Sequence, residues 1–184
     1  MEASEYAVTA RLLDGSAIFI RAIRPDDRDR LLTHFSHLSP ESIRFRFHGF
    51  KRSLSDTEAA ALTAIDFVDH VALVATFGPE IEQPLIGVGR YIVSTDQSGH
   101  RYAEVGFAVL DQHQGKGIGT LLLQHLAIIA RAQGIDEFHA DVLTANSRMI
   151  EVFEASGFVV KESVNHGVDH LVLAIGGHET SRSN

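Results

Sequence analysis

A glycine-rich segment is the part of the sequence with the clearest chemical potential. It reads Q-G-K-G-I-G from Gln114 to Gly119. Alternating apolar residues from Val105 to Val109 predict a strand before it, and apolar residues at helical spacing from Ile118 to Ile129 predict a helix after it. A helix N-terminus carries unpaired N–H groups and a partial positive charge, and glycines let a ligand approach them. The segment therefore predicts a site for a phosphate or diphosphate group.

Two common patterns of phosphate-binding loop do not fully match this segment. A nucleotide-triphosphate loop needs Gly-Lys followed by Ser or Thr, but Gly117 follows Lys116. A dinucleotide fingerprint needs G-x-G-x-x-G, but the third glycine position is occupied by Thr120. Asp141 lies near the distance expected for a ribose-binding acid, so this alternative is weakened but stays open. The pattern Q-x-x-G-x-G fits without adjustment.

The pattern Q-x-x-G-x-G resembles the coenzyme A loop of the GNAT superfamily of N-acetyltransferases. A later segment, N-S-R-M-I-E-V-F-E-A-S-G-F from Asn146 to Phe158, resembles the asparagine-helix-Gly-Phe segment of the same family. Three earlier segments resemble the front half of bacterial protein-lysine acetyltransferase domains. They read R-A-I-R-P-D-D-R-D, L-S-P-E-S-I-R-F-R-F-H-G-F and L-S-D-T-E-A-A-A-L-T-A-I-D.

The resemblance implies acetyl-CoA as the acetyl-donor co-substrate, with no metal. It assigns the pantetheine arm to backbone groups of Phe107, Ala108 and Val109, and the diphosphate to the amides of Gly115 through Thr120. The cofactor-binding residues of the loop are accordingly predicted as Gln114, Gly115, Lys116, Gly117, Ile118, Gly119 and Thr120. It also places Asn146 and Phe153 beside the cofactor. Lys116 either adds charge near a phosphate or is a solvated loop lysine. Asn146 is also placed to cap its helix, and the two roles are compatible.

Glu104 is the candidate general base. A lysine amine has an ordinary pKa of about 10.4, so at neutral pH a positioned proton acceptor is needed. Glu104 precedes the backbone assigned to the pantetheine arm, and protein-lysine acetyltransferases of this superfamily carry a glutamate at the matching place. An exposed strand glutamate without catalytic function is the alternative, and Asp141 and His139 are weaker candidate bases. Many family members place a proton-donating tyrosine where this chain has Phe153.

Composition narrows the classes of partner. The chain has 184 residues with a formal net charge of -8, 45% hydrophobic residues and no cysteine. The negative charge argues against nucleic-acid binding and suits a cationic acceptor. No apolar run approaches the length of a membrane span, and the N-terminus lacks the pattern of a secretory signal. We expect a cytoplasmic monomer or homodimer.

The element pattern predicts an α/β (α+β) fold. It indicates one N-acetyltransferase domain over residues 1–184, with a frayed tail from about 177 to 184. The expected architecture is a GNAT-like domain with a mixed, mostly antiparallel sheet flanked by helices and a splayed central strand pair. Predicted strands cover Tyr6–Leu13, Ala17–Ala22, His70–Phe77, Pro84–Val93 and Phe138–Leu143, with two more around Asn165–Gly167. Predicted helices begin at Pro25, Ser39, Ser55, the glycine loop and Ser147.

The predicted function is transfer of an acetyl group from acetyl-CoA to a primary amine of a protein lysine. A small-molecule amine acetyltransferase is the alternative of the same class, and it would differ around residues 34–50, which should cover the acceptor. A non-catalytic acyl-CoA-binding sensor is the alternative of another class. The pairs His34/His37 and His166/His170 lack a third ligand at motif spacing, so a zinc site is not predicted.

Overall fold

The computed structural model describes residues 2–47, 51–80 and 82–176. They form eight strands and five α-helices. The strands are β1 (Ala7–Arg11), β2 (Ala17–Ala22), β3 (His70–Thr76), β4 (Gly87–Thr95), β5 (Arg101–Val109), β6 (Glu137–Leu143), β7 (Val159–Asn165) and β8 (Val168–Ala174). The helices are α1 (Arg28–Ser36), α2 (Pro40–Phe47), α3 (Asp56–Thr63), α4 (Ile118–Ala132) and α5 (Ser147–Glu154). No helix in this part of the chain is long and apolar enough to cross a membrane.

The strands form one mixed sheet in the order β1-β2-β3-β4-β5-β6-β8-β7. All neighbours are antiparallel except β5 and β6, which are parallel and joined through α4. The predicted mixed, mostly antiparallel sheet is confirmed.

The central strands β5 and β6 separate soon after they begin to pair. Their register has only two pairs, Ala103 with Phe138 and Glu104 with His139. β4 and β5, by contrast, pair from Gly87 opposite Val109 to Thr95 opposite Arg101. The second half of β5 therefore has a strand neighbour on one side only, which is the predicted splay.

The two faces of the sheet are covered by different helices. On one face, α4 buries Ile118, Leu122, Leu126 and Ile129 in the main core, as its apolar spacing predicts. On the other face, α1 and α3 cover a smaller apolar core around Val74. The helix α2 lies over β5 on this second face.

The predicted elements agree with the structure apart from some boundaries. The helix predicted from Pro25 begins as a 3₁₀ turn over Pro25–Asp27, and α1 starts at Arg28. The side chain of Asp27 is buried and accepts two hydrogen bonds from the buried guanidinium of Arg21, at 2.7 and 2.8 Å. The predicted frayed tail, residues 177–184, lies outside the described residues.

Candidate active site

A cleft of about 1040 Å³ opens where β5 and β6 separate. Its wall includes α2, β4, β5, the glycine loop, the start of α4, β6 and α5. Every predicted site residue except Lys116 lines it, namely Glu104, Phe107, Ala108, Val109, Gln114, Gly115, Gly117, Ile118, Gly119, Thr120, Asn146 and Phe153. The structure thus brings strand, loop and late helix together around one cavity.

The glycine loop presents a series of unpaired backbone N–H groups. Gly115 and Gly117 have φ of 73° and 89°, in the left-handed region that favours glycine. The first intrahelical bond of α4 runs from Leu121 N to Gly117 O at 3.0 Å. None of the described residues accepts a hydrogen bond from the N–H groups of residues 115 to 120. Such groups at a helix N-terminus suit a diphosphate.

Gln114 holds the start of the loop in place. Its Nε2 donates to the carbonyl oxygen of Val109 at 3.0 Å and to Ser42 Oγ at 3.1 Å, and its Oε1 accepts from Arg148 Nη1 at 2.9 Å. Gln114 was predicted as a cofactor-binding residue from its place in the loop motif. In the structure it ties the end of β5 to α2 and α5.

Asp111 makes a second connection between the loop and α2. Its carboxylate accepts hydrogen bonds from Ser39 N at 3.0 Å, Ser39 Oγ at 2.7 Å and Ser42 Oγ at 2.9 Å. Partial burial alone would raise the pKa of Asp111, but these hydrogen bonds lower that pKa below its ordinary value. A charged Asp111 therefore fixes the N-terminus of α2 beside the loop.

The hydrogen bonds of β4 show which way the backbone of β5 points. Val93 donates its N–H to Asp69 O at 2.8 Å, so the odd-numbered residues of β4 direct their N–H and C=O groups toward β3. The even-numbered residues then face β5, where Val88 lies opposite Ala108. The backbone groups of Ala108 consequently face β4, and Ala108 borders the cleft without directing its N–H or C=O into the gap.

Phe107 and Val109 have the opposite orientation. By the same alternation their N–H and C=O groups face the side from which β6 has diverged. Gln114 occupies the carbonyl oxygen of Val109, and no described strand pairs with Phe107 on this side. The gap therefore offers backbone groups to an extended ligand arm.

Glu104 lies at the point where the two strands separate. It stands opposite Ile92 of β4 and His139 of β6, and its side chain is on the face that also carries Gly106 and Ala108. It is exposed, lines the cleft and has no hydrogen-bond or ion-pair partner among the described residues. Its carboxylate is free to accept a proton from a ligand.

The helix α5 supplies a cap and an aromatic side chain. Asn146 is its N-cap, and its Oδ1 accepts a hydrogen bond from Met149 N at 3.2 Å. Phe153 is 1% exposed, and its ring centroid lies 6.0 Å from that of Phe107. The phenyl ring packs in the core and cannot donate a proton.

A comparison with known protein families covers the elements that form the cleft. Residues 41–158 match the family model described as Acetyltransferase (GNAT) family. The chain belongs to the GNAT acetyltransferase family. The predictions of the family and of an acyltransferase with acetyl-CoA as co-substrate are thereby confirmed.

Three GNAT relatives show the extent of the similarity. "Acetyltransferase PA5475" of Pseudomonas aeruginosa is 30% identical over 146 residues, 79% of this chain and 77% of the relative. "Acetyltransferase Pat" of Mycolicibacterium smegmatis is 31% identical over 156 residues, 83% of this chain but only 44% of the relative. The solved GNAT domain of S. lividans PAT is 36% identical with a TM-score of 0.80, covering 91% of this chain and 96% of that domain.

This GNAT cleft also contains groups that sequence reasoning ranked low or did not select. The alternative bases Asp141 and His139 line it, and Asp141 Oδ1 lies 2.6 Å from His170 Nδ1. Lys116 does not line the cleft, and its charge acts on Asp14 of the β1–β2 turn. No group of three or more His, Asp or Glu side chains in residues 2–47, 51–80 and 82–176 is arranged to hold a metal ion.

Three arginines that line the cleft were not predicted as site residues, and one of them, Arg148, donates to Gln114. Arg46 of α2 and Arg90 of β4 both line it on the face that carries Glu104. Arg46 lies within R-F-R-F, part of a segment that resembles protein-lysine acetyltransferase domains. Arg90 lies in an ordinary strand pattern, which does not distinguish it as a site residue.

Proposed function

We propose that this GNAT enzyme transfers the acetyl group of acetyl-CoA to the side-chain amine of a protein lysine, with Glu104 as the general base. One observation carries the proposal: an exposed carboxylate, with no partner among the described residues, stands in the cleft where the central strands separate. Resemblance of the front segments to protein-lysine acetyltransferase domains and the net charge of -8 support a cationic protein acceptor.

Backbone groups that have no partner among the described residues support the proposed position of the donor. The N–H groups of residues 115 to 120 fit the diphosphate, and the backbone of Phe107 facing the gap fits the pantetheine arm. Acetyl-CoA supplies the activated acetyl thioester. Its acyl end then lies toward Glu104, because the strand runs from Glu104 through Phe107 to the loop.

The chain contributes a proton acceptor but lacks the usual acid. Freeing a lysine amine at pH 7 costs about 4–5 kcal/mol, since its ordinary pKa is about 10.4. Glu104 receives that proton directly or through one water molecule. Phe153 cannot protonate the departing thiolate, whose ordinary pKa of about 8.5 lets it leave as an anion.

The test replaces Glu104 by Gln, which keeps the shape and removes the proton acceptor. Turnover with a lysine peptide should fall about 10²–10⁴-fold at pH 7, while the Kd for acetyl-CoA stays the same. The loss should shrink at higher pH, where more amine is neutral. Glu137→Gln is the matched control, because Glu137 lies on the neighbouring strand and does not line the cleft. Wild-type turnover in Glu104→Gln would move the base elsewhere, and Asp141→Asn would be tested next.

The small-molecule amine acceptor remains the second candidate. Two arginines in the acceptor side of the cleft favour it, since they suit an amine that also carries an anionic group. A screen of thiol release over lysine peptides and free amines separates the two. If no amine is acetylated, the non-catalytic acyl-CoA-binding sensor becomes the favoured function.

A further inference from the structure

Arg46 places its guanidinium directly over the backbone of β5. A Cβ added at Gly106 would lie 3.0 Å from both Cζ and Nη1 of Arg46, so the glycine leaves room for this side chain. Burial lowers the pKa of Arg46 below its ordinary value. The ring of Phe47 lies 5.5 Å from Cζ. The position of Arg46 thus depends on the small residue two places after Glu104.

Arg90 brings a second guanidinium to the same place. It stands opposite Gly106 in the sheet register and is 7% exposed. Its Nη1 donates to His70 Nε2 at 3.1 Å and lies 3.5 Å from Leu62 O. Burial, with the charge of Arg46, lowers the pKa of Arg90 to about 9, and burial with Arg90 lowers that of His70 to about 4. His70 is therefore neutral at pH 7 and adds no further positive charge.

Neither arginine has an acidic partner in the described part of the chain. The ion pairs of arginine there involve Arg21, Arg28, Arg30 and Arg101. Asp66, whose charge acts on His70, accepts backbone hydrogen bonds from residues 68 to 70. Arg90 is buried and Arg46 is half-buried. Removing two like charges from water without an anion is costly, and such charges in proteins are normally paired. The cleft is thus complementary to an anion that the chain itself does not supply.

We propose that Arg46 and Arg90 form a subsite for a carboxylate on the acceptor, beside the position where its amine meets Glu104. The inference rests on the proposed amine acetylation and specifies its substrate. Residues 104 and 106 lie on one strand face, about 7 Å apart. The acceptor therefore carries its carboxylate roughly that far from its amine. The carboxylate comes either from an acidic residue next to the lysine of a protein or from a small amino acid acceptor.

The experiment compares acceptors that differ in one charge. One pair of peptides has lysine flanked by Glu or by Gln, and another pair is free lysine, whose side-chain amine lies about 7 Å from its carboxylate, and its carboxamide. Wild-type kcat/KM should be about 10–100-fold higher for the charged member of the pair that matches the acceptor, as expected for a charge-assisted hydrogen bond. The pair that shows the preference identifies the source of the carboxylate.

Variants of α2 then assign the preference to the subsite. Arg46→Gln should abolish the preference for the charged acceptor, and Arg46→Lys should keep part of that preference. Both variants should bind acetyl-CoA like the wild type. Arg44→Gln is the matched control, because Arg44 is exposed on the same helix and does not line the cleft. Circular dichroism verifies that each variant is folded. A wild-type enzyme that acetylates both members of each pair equally, or a preference that survives Arg46→Gln, would overturn the subsite.

A binding measurement keeps the subsite testable if no amine is acetylated. Glutarate is titrated into the complex with CoA and its binding is followed by saturation-transfer NMR. Binding that is lost in Arg46→Gln and kept in Arg44→Gln supports the subsite even where the proposed acceptors fail. No binding, together with no turnover, would overturn both the subsite and the proposed function.

Discussion

Replacement of Gly117 by valine tests whether the loop amides hold the cofactor. Gly117 has φ of 89° and caps α4, and the N–H groups around it have no partner in the described residues. A valine would shield the N–H groups of residues 117 and 118. A hydrogen bond to a charged group contributes about 1.5–3 kcal/mol, so losing two weakens binding by about 3–6 kcal/mol. The Kd for acetyl-CoA should rise about 10²–10⁴-fold.

Gly99→Val is the control variant for the backbone strain that Gly117→Val introduces. Gly99 has φ of 86° in the β4–β5 turn, with nothing within 4 Å of an added Cβ. At Gly117 an added Cβ would lie 3.2 Å from Leu13 Cγ, but Leu13 is 84% exposed and can move. Both variants should lose about 1–2 kcal/mol of stability from the left-handed conformation. Calorimetric titration and thermal melts separate affinity from folding. A folded Gly117→Val that binds within threefold of wild type would refute the assignment.

Two further predictions concern the buried side chains. Phe153→Leu should weaken acetyl-CoA affinity more than it slows the chemical step, because Phe153 packs on Phe107 and has no proton to give. A large fall in the single-turnover rate at an unchanged Kd for acetyl-CoA would contradict this prediction. Burial lowers the pKa of His34, which is 3% exposed, while its Nδ1 lies 2.7 Å from Leu85 O. Since the unfolded imidazole has a pKa of about 6.5, the unfolded state binds more protons below that pH, and His34 should lower the free energy of unfolding between pH 7.5 and 5.5 by at most about 1.4 kcal/mol. His34→Asn retains a donor for Leu85 and should remove that part of the pH dependence in urea titrations, whereas an unchanged dependence would contradict the assignment.

The local parts of the fold and the cofactor loop were predictable from the sequence. Alternation in β5, helical spacing in α4 and glycines between them define a strand-loop-helix unit without reference to the rest of the chain. The splay between β5 and β6 came from the family resemblance, and its location was set by the order of the elements. The cytoplasmic location, the oligomeric state and the boundaries of the single domain stay predictions.

Other features depend on contacts between distant segments. The motif selected Gln114 as a cofactor-binding residue, but its hydrogen bonds to Val109, Ser42 and Arg148 arise only when three elements meet. Arg46 and Arg90 are 44 positions apart in the chain and become neighbours through Gly106. Asp27 caps the turn at the predicted helix start, and it also pairs with Arg21 of β2, a contact that the local sequence does not indicate. Part of the segment expected to cover the acceptor, residues 48–50, lies outside the described residues.

The separation of β5 from β6 gives the sheet a third exposed edge. The outer edges are β1 and β7, and β7 carries Lys161 and Glu162, charges that discourage pairing with another chain. The inner edge along the end of β5 has no such charges after Glu104. It opens into a cleft bordered by α2, α4 and α5, so a strand of another molecule meets helices before it reaches the free backbone groups. The helices that border this opening therefore leave room for a slender cofactor arm but protect the centre of the sheet from intermolecular strand addition.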